Sequence, residues 1–223
     1  MGRKIEVVPY DPNWRELFQN ESKQLKKVLG RNCVAVYHIG STAVEGMIAK
    51  PTVDILVAVK VLEKVDAVQE DLKALGYEAF GENGIPGRRF FAKGGDCRTF
   101  HVHVFAQTDQ MNIQRHLAVV RYLTDNEKRR EEYSELKTYL AQVYPEDPEG
   151  YSEGKSYFVA QLEQEAMNSV AEEPESEEQA RSASISLGMC FGLVLGLTVF
   201  DNIGVGLCVG LALSLAISKI KGK

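Results

Sequence analysis

Paired cysteines are missing from this chain. Cys33, Cys97, Cys190 and Cys208 form no CxxC pair, and the last two fall in a hydrophobic C-terminal stretch. That pattern argues against a disulfide frame or a cysteine-built zinc site and reads as reduced, buried thiols. An excess of positive charge is also missing. A formal net charge of -5 offers no broad attraction to nucleic acid, so nucleic-acid binding is not expected. Residues 1–8 are charged and quickly become strand-like, without the apolar core of a signal peptide, so the globular part is expected in the cytosol.

What is present falls into regimes of different composition. Residues 1–170 mix charged and apolar positions as a globular domain does. Residues 171–184 are rich in Glu and read as a flexible linker. Residues 185–218 are almost entirely apolar or Gly, and 219–223 form a short basic tail. Within the first regime, Asp11-Pro12 opens a helix that runs to Leu29 and stops at Gly30. Strands are expected over 34–39, 52–59, 77–80, 88–92 and 99–106, with one helix over 61–75 between the second and third. Helices follow over 111–124, 126–143 and 152–170, with Pro145 and Pro148 between the last two. Strands first and helices after predict an α+β domain, a mixed sheet flanked by helices.

Three stretches carry candidate chemistry. The first is His38-Ile-Gly-Ser-Thr-Ala-Val-Glu-Gly46 followed by Lys50-Pro-Thr-Val-Asp54. A strand that ends in Gly-Ser and turns into a short helix presents N–H groups to an anion. Gly40, Ser41, Thr42 and Lys50 are therefore candidate phosphate ligands, and Asp54 on the neighbouring strand could join a Mg2+ ion to the phosphate. The alternative is a plain Gly-Ser turn and a capping Asp. The second is Arg98-Thr-Phe-His101-Val-His103-Val104. Strand alternation projects His101 and His103 to one face and the valines to the other. The two imidazoles could bind metal, donate to phosphate or move a proton, with Asp54 as the further ligand, or could be hydrogen-bonded histidines of a sheet edge. The third is Gly84-Ile-Pro-Gly-Arg88-Arg89-Phe90. Guanidinium groups match phosphate oxygens, and alternation turns one of Arg88 and Arg89 to the cleft. Lys155, four residues after Tyr151, could close over the same site, or the two could form a surface pair.

Together with Tyr10-Asp-Pro-Asn-Trp14, Lys50-Pro-Thr-Val-Asp-Ile-Leu56 and Arg115-His-Leu117, these strings resemble the GrpB family in order and spacing over about residues 5–168. The resemblance implies a nucleotidyltransferase-type fold in which a mixed sheet carries the Gly-Ser loop and an acidic strand end. Taken with the residue patterns above, the expected site has catalytic Asp54, His101 and His103, Mg2+ on Asp54 and His103, and a nucleotide or other phosphorylated small molecule as partner. Nucleotidyltransferases usually carry a second carboxylate two residues after the first, and this chain has Leu56 there. Either a histidine supplies the missing ligand or the domain binds its nucleotide without transferring it.

In the C-terminal stretch, apolar runs at 187–200 and 203–217 are divided by Asp201-Asn202. One helix over 185–218 would be about 50 Å long, far beyond the roughly 30 Å hydrocarbon core of a bilayer, so a hydrophobic helical hairpin is expected. Gly188, Gly192 and Gly196 line one arm, Gly206 and Gly210 the other, faces suited to close helix contact and self-association in lipid. Lys219, Lys221 and Lys223 favour a cytosolic C-terminus. The expectation is a membrane-associated protein with its N-terminal domain in the cytoplasm.

Overall fold

Asp11 starts the first helix by accepting the backbone N–H of Asn13 on its carboxylate at 2.9 Å. The helix, α1, runs Asn13–Leu29, and Gly30 ends it at φ +53°, a backbone region that side chains other than Gly rarely occupy. In the computed structural model, which describes residues 4–172, the following elements are β1 (Cys33–Ile39), a 3-10 turn (Ser41–Ala43), β2 (Val53–Val59), α2 (Glu63–Asp66), α3 (Gln69–Ala74), β3 (Tyr77–Ala79), β4 (Arg89–Lys93), β5 (Phe100–Ala106), α4 (Gln110–Asp125), α5 (Glu127–Val143), α6 (Pro148–Gly154) and α7 (Ser156–Glu172). Met1–Ala171 make one compact unit of the chain. Among the described residues no helix is long and apolar enough to cross a membrane. The hairpin, its glycine faces and the basic tail lie outside them.

The five strands form one mixed sheet in the order β1-β2-β5-β4-β3. β2 and β5 are parallel neighbours, and the other pairs are antiparallel. Parallel strands need cover on both faces, and alternation sorts them. Val53, Ile55, Val57, Val59, Val102 and Val104 face α1 and α3, meeting Trp14, Leu25, Leu29 and Leu72. On the other face Leu56, Ala58 and Phe105 pack under Ile113 of α4, while Asp54 and His101, paired in register, lie beyond that cover. The alternation expected for β5 is thus observed.

Two helices differ from expectation. The helix over 61–75 is broken into α2 and α3, because Val68 leaves helical geometry at φ -109°, ψ 17°, and the Asp66 carboxylate just before it is held by Arg89. The helix over 152–170 is replaced by α6 and α7. α6 begins earlier because Asp147 accepts the N–H groups of Glu149 and Gly150 and Pro148 occupies the first turn. It ends at Gly154, packed so closely on α5 that an added Cβ would lie 2.6 Å from a Leu140 methyl.

Under α1, on the face opposite Asp54, Glu21 is buried and accepts from the Tyr77 hydroxyl at 3.0 Å and from Lys93 Nζ at 2.8 Å. Removing one partner of a buried pair strands the other charge. Lys93 keeps 24 % of its side-chain surface in water, which limits the penalty. Glu21→Gln is expected to lower the unfolding free energy by about 2 kcal/mol. The check is a urea titration, in which the midpoint falls while the slope stays constant; an unmoved midpoint would mean the pair contributes nothing.

Candidate functional site

The end of β1, the start of β2 and the start of β5 meet at Asp54. Ile39 and His101 are its neighbours across the two strand pairings. Around it opens a cavity of about 270 Å3 whose walls include Ser41, Lys50, Arg88, His101, Lys137 and Lys155. Thr42 and His103 also line it. Of the residues expected from the sequence, the fold therefore gathers Asp54, His101, His103, Ser41, Thr42, Lys50, Arg88 and Lys155 in one place. Gly40 stands directly beside Asp54: an added Cβ would lie 2.5 Å from Asp54 Oδ2.

Asp54 and His101 form a hydrogen-bonded pair, Nδ1 to Oδ1, at 3.1 Å. Burial opposes ionisation of Asp54, but the hydrogen bond from His101 and the charges of His101, His103 and Lys155 outweigh it and hold the carboxyl at about 2. Asp54 is an anion at neutral pH.

His103 is differently committed. Arg88 Nη1 donates to its Nδ1 at 3.1 Å. A guanidinium has only donors, so this ring nitrogen must accept and Nε2 carries the proton. Nε2 lies 4.0 Å from Asp54 Oδ1. Burial, helped by the nearby charges of His116, Arg88 and His101, lowers His103 to about 3 against the pull of Asp54, consistent with a neutral ring. A proton on Nε2 leaves no lone pair there for a metal. Mg2+ favours oxygen ligands in octahedral array, whereas these side chains offer one carboxylate, two imidazoles and an adjoining guanidinium. Among the described residues no group of three or more His, Cys, Asp or Glu is arranged to hold a metal ion. The expected Mg2+ site on Asp54 and His103 does not fit this donor set. Leu56, at the second carboxylate position, is fully buried in the core beneath α4.

Arg88 and Arg89 separate as alternation requires. Arg88 is buried and ties down the loop before β4, donating to the carbonyls of Glu82 at 3.1 Å and Asn83 at 2.6 Å. Arg89, also expected as a phosphate ligand, instead lies outside the cavity lining and makes a two-pronged pair with Asp66 at 2.7 and 2.9 Å. Tyr151 is also no surface residue. It is 1 % exposed, packed with Ile5 and Leu140, and its ring carries the ammonium groups of Lys50 and Lys155 at 5.0 and 5.5 Å. Those two lysines are thereby held at the cavity wall. Thr42 is occupied as well, its hydroxyl 3.0 Å from His38 Nε2, while the His38 ring stacks on Phe18 at 4.9 Å.

Sequence reading missed Lys137. It is 3 % exposed; its Nζ donates to Ser41 Oγ at 3.1 Å and to the carbonyl of Ile48, and lies 4.7 Å from the Tyr133 ring centre. Burial, with the charge of Lys155 nearby, lowers it to about 7 against the attraction of Asp54. The signal was in the helical spacing. Tyr133, Lys137 and Leu140 recur at four and three residues on the buried stripe of α5, so the lysine belongs to the inward face.

Comparison with known proteins agrees with this fold and places the chain among relatives. The sequence profile of the family described as GrpB protein matches residues 4–165. A second profile, described as glycine zipper membrane protein, matches 174–219. The UPF0157 protein YqkA of Bacillus subtilis is 42% identical over 74% of this chain, which spans 48% of that protein's length. The glutamate-rich protein GrpB of Alkalihalophilus pseudofirmus is 34% identical over 71% of this chain and 94% of its own. The crystal structure of conserved protein GrpB from Enterococcus faecalis is 41% identical, with a TM-score of 0.72 over 75% of this chain and 100% of that one.

Proposed function

The chain belongs to the GrpB family, and from that premise we propose that its cavity binds a nucleotide or other phosphorylated small molecule and transfers the nucleotidyl or phosphoryl group. One observation carries the reading: Lys50, Arg88, Lys137 and Lys155 surround a single carboxylate, Asp54, in one recess. A phosphate in that recess can accept from several of these donors at once. The Asp54–His101 pair supplies a base oriented by hydrogen bonding, suited to taking a proton from an acceptor hydroxyl.

Binding does not require a metal from these side chains. Calorimetric titration of ATP, GTP, CTP and UTP into the full chain in detergent, with and without Mg2+, is expected to show binding in both conditions. Asp54→Asn removes the one negative charge of the recess and is expected to tighten binding severalfold while abolishing transfer. Loss of binding in that variant would return the carboxylate to a metal-holding role. Failure of every nucleotide to bind would sink the nucleotide reading. A noncatalytic binding module is the second reading, favoured by Leu56 where a second carboxylate would stand; it requires binding without product from any acceptor.

We also infer that the segment matching the glycine zipper membrane proteins, 174–219, holds the protein at a membrane with the N-terminal domain on the cytosolic side, and that its glycine faces support self-association. Flotation of the full chain with liposomes tests this, since a protein left at the bottom of the gradient would contradict it.

A further inference from the structure

Lys137 has an unusual setting. It is a lysine with 3 % of its surface exposed, and among the described residues no carboxylate lies within ion-pair distance of its Nζ. Buried amines lacking a counter-ion are costly and are most often found where their chemistry is used. The one side-chain oxygen it meets is Ser41 Oγ, at 3.1 Å. Ser41 lies on the cavity wall among Lys50, Arg88 and Lys155. It stands at the start of the turn that follows β1, directly after Gly40, whose φ of +68° and ψ of -170° are open to Gly almost alone.

We propose that Ser41 is a nucleophile that attacks phosphorus of a phosphoanhydride bound in the cavity, with Lys137 as its base, so that the transferred group passes through a covalent serine phosphoester. In the amine form Lys137 accepts the serine proton across the same 3.1 Å separation at which the ammonium form donates. The Ser41 Oγ–phosphorus bond forms as the bridging phosphorus–oxygen bond breaks. The leaving phosphate takes that electron pair, and the proton rests on Lys137 Nζ as an ammonium facing the new phosphoester. An acceptor hydroxyl, deprotonated by the Asp54–His101 pair, then displaces the serine oxygen, which takes its proton back from Lys137. Lowering of the Lys137 amine to about 7 by burial leaves a substantial share of it unprotonated near neutral pH, as an effective base requires. The proposal rests on the phosphate-binding reading above and gives Ser41 and Lys137 a step within it.

The test has two arms, both on the full chain. In the first, the protein is incubated with ATP labelled in either the α or the γ phosphate and digested for mass spectrometry. The expected result is label on the peptide holding Ser41. α-Label signifies a nucleotidyl group and γ-label a phosphoryl group. The label should vanish in Ser41→Ala and form about a hundredfold more slowly in Lys137→Arg and Lys137→Met, with ATP binding measured in the same samples. Lys137→Arg keeps the charge but cannot act as a base, so label retained in that variant would overturn the role of Lys137. ATP bound without label on Ser41 would overturn the proposal while leaving the binding reading intact. The second arm needs no nucleotide. A fluorophosphonate, which loses fluoride as the serine oxygen bonds to phosphorus, is expected to modify Ser41 in preference to Ser152 on the same cavity wall, and to lose that preference in Lys137→Met. Equal modification of both serines would overturn the proposal independently of any nucleotide.

Discussion

Gly40→Ala is expected to lower the unfolding free energy by about 4 kcal/mol and to abolish ligand binding. Two costs combine. At φ +68° and ψ -170° a residue with a Cβ is strained by about 1–3 kcal/mol. The added Cβ would also stand 2.5 Å from Asp54 Oδ2 and 3.1 Å from Asp54 Cβ, so the carboxylate must move and its hydrogen bond with His101 is disturbed. Gly46→Ala separates the two effects. Gly46 has φ +78°, yet an added Cβ there meets nothing within 4 Å, so its cost should be the backbone strain alone, about 1 kcal/mol. Chemical denaturation of both variants checks this. Equal losses would show that the contact with Asp54 carries no weight, and that Gly40 serves the turn rather than the site.

Lys137→Met is expected to stabilise the protein at neutral pH while weakening its ligand. The folded chain holds this amine at about 7, far below the roughly 10.4 of an unfolded lysine. Between those values the unfolded chain binds a proton that the folded chain does not. Stability therefore falls as pH drops from about 10 to 7, and the loss persists below 7. At about 1.4 kcal/mol per unit, the full depression is worth roughly 5 kcal/mol, of which about 4 kcal/mol applies at pH 7, where half of the folded amine is protonated. Methionine leaves the Ile48 carbonyl without its donor, which returns about 2 kcal/mol. The net expectation is a gain of about 2 kcal/mol at pH 7 and the disappearance of the rise in stability between pH 7 and 10. Denaturation midpoints measured across that window check both. Loss of one charge-assisted hydrogen bond to phosphate should at the same time weaken binding about tenfold or more. A variant that is less stable and keeps the rise would mean that the amine is charged and compensated in the fold.

Much of the architecture was legible because it is written in local patterns. The alternation of His101 and His103 against Val102 and Val104 put the histidines on one face, and β5 bears this out. Asp11-Pro12 and Gly30 marked the limits of α1 to within two residues. The breaks inside 61–75 and at Gly154 were not legible. They follow from contacts with partners distant in sequence, Arg89 on Asp66 and Leu140 on Gly154. The same is true of Tyr151, which an i, i+4 pairing with Lys155 cannot distinguish from a surface residue until Ile5 and Leu140 close over it.

At the site, the amino-acid order determined which residues share a strand face and which turn needs glycine. The family strings were enough to bring Asp54, His101, His103, Ser41 and Arg88 under suspicion together. Alternation requires that Arg88 and Arg89 point opposite ways, yet which of them meets the cavity depends on where α2 offers a carboxylate, and that is tertiary. The proton on His103 depends on Arg88 approaching from the loop before β4. The burial of Lys137 beside Ser41 joins residues 96 positions apart. Local periodicity fixes direction relative to the backbone, whereas the dielectric, the counter-charge and the hydrogen-bond partner of a side chain come from whichever distant segment packs against it. The chemistry of this cavity belongs to the second kind of information.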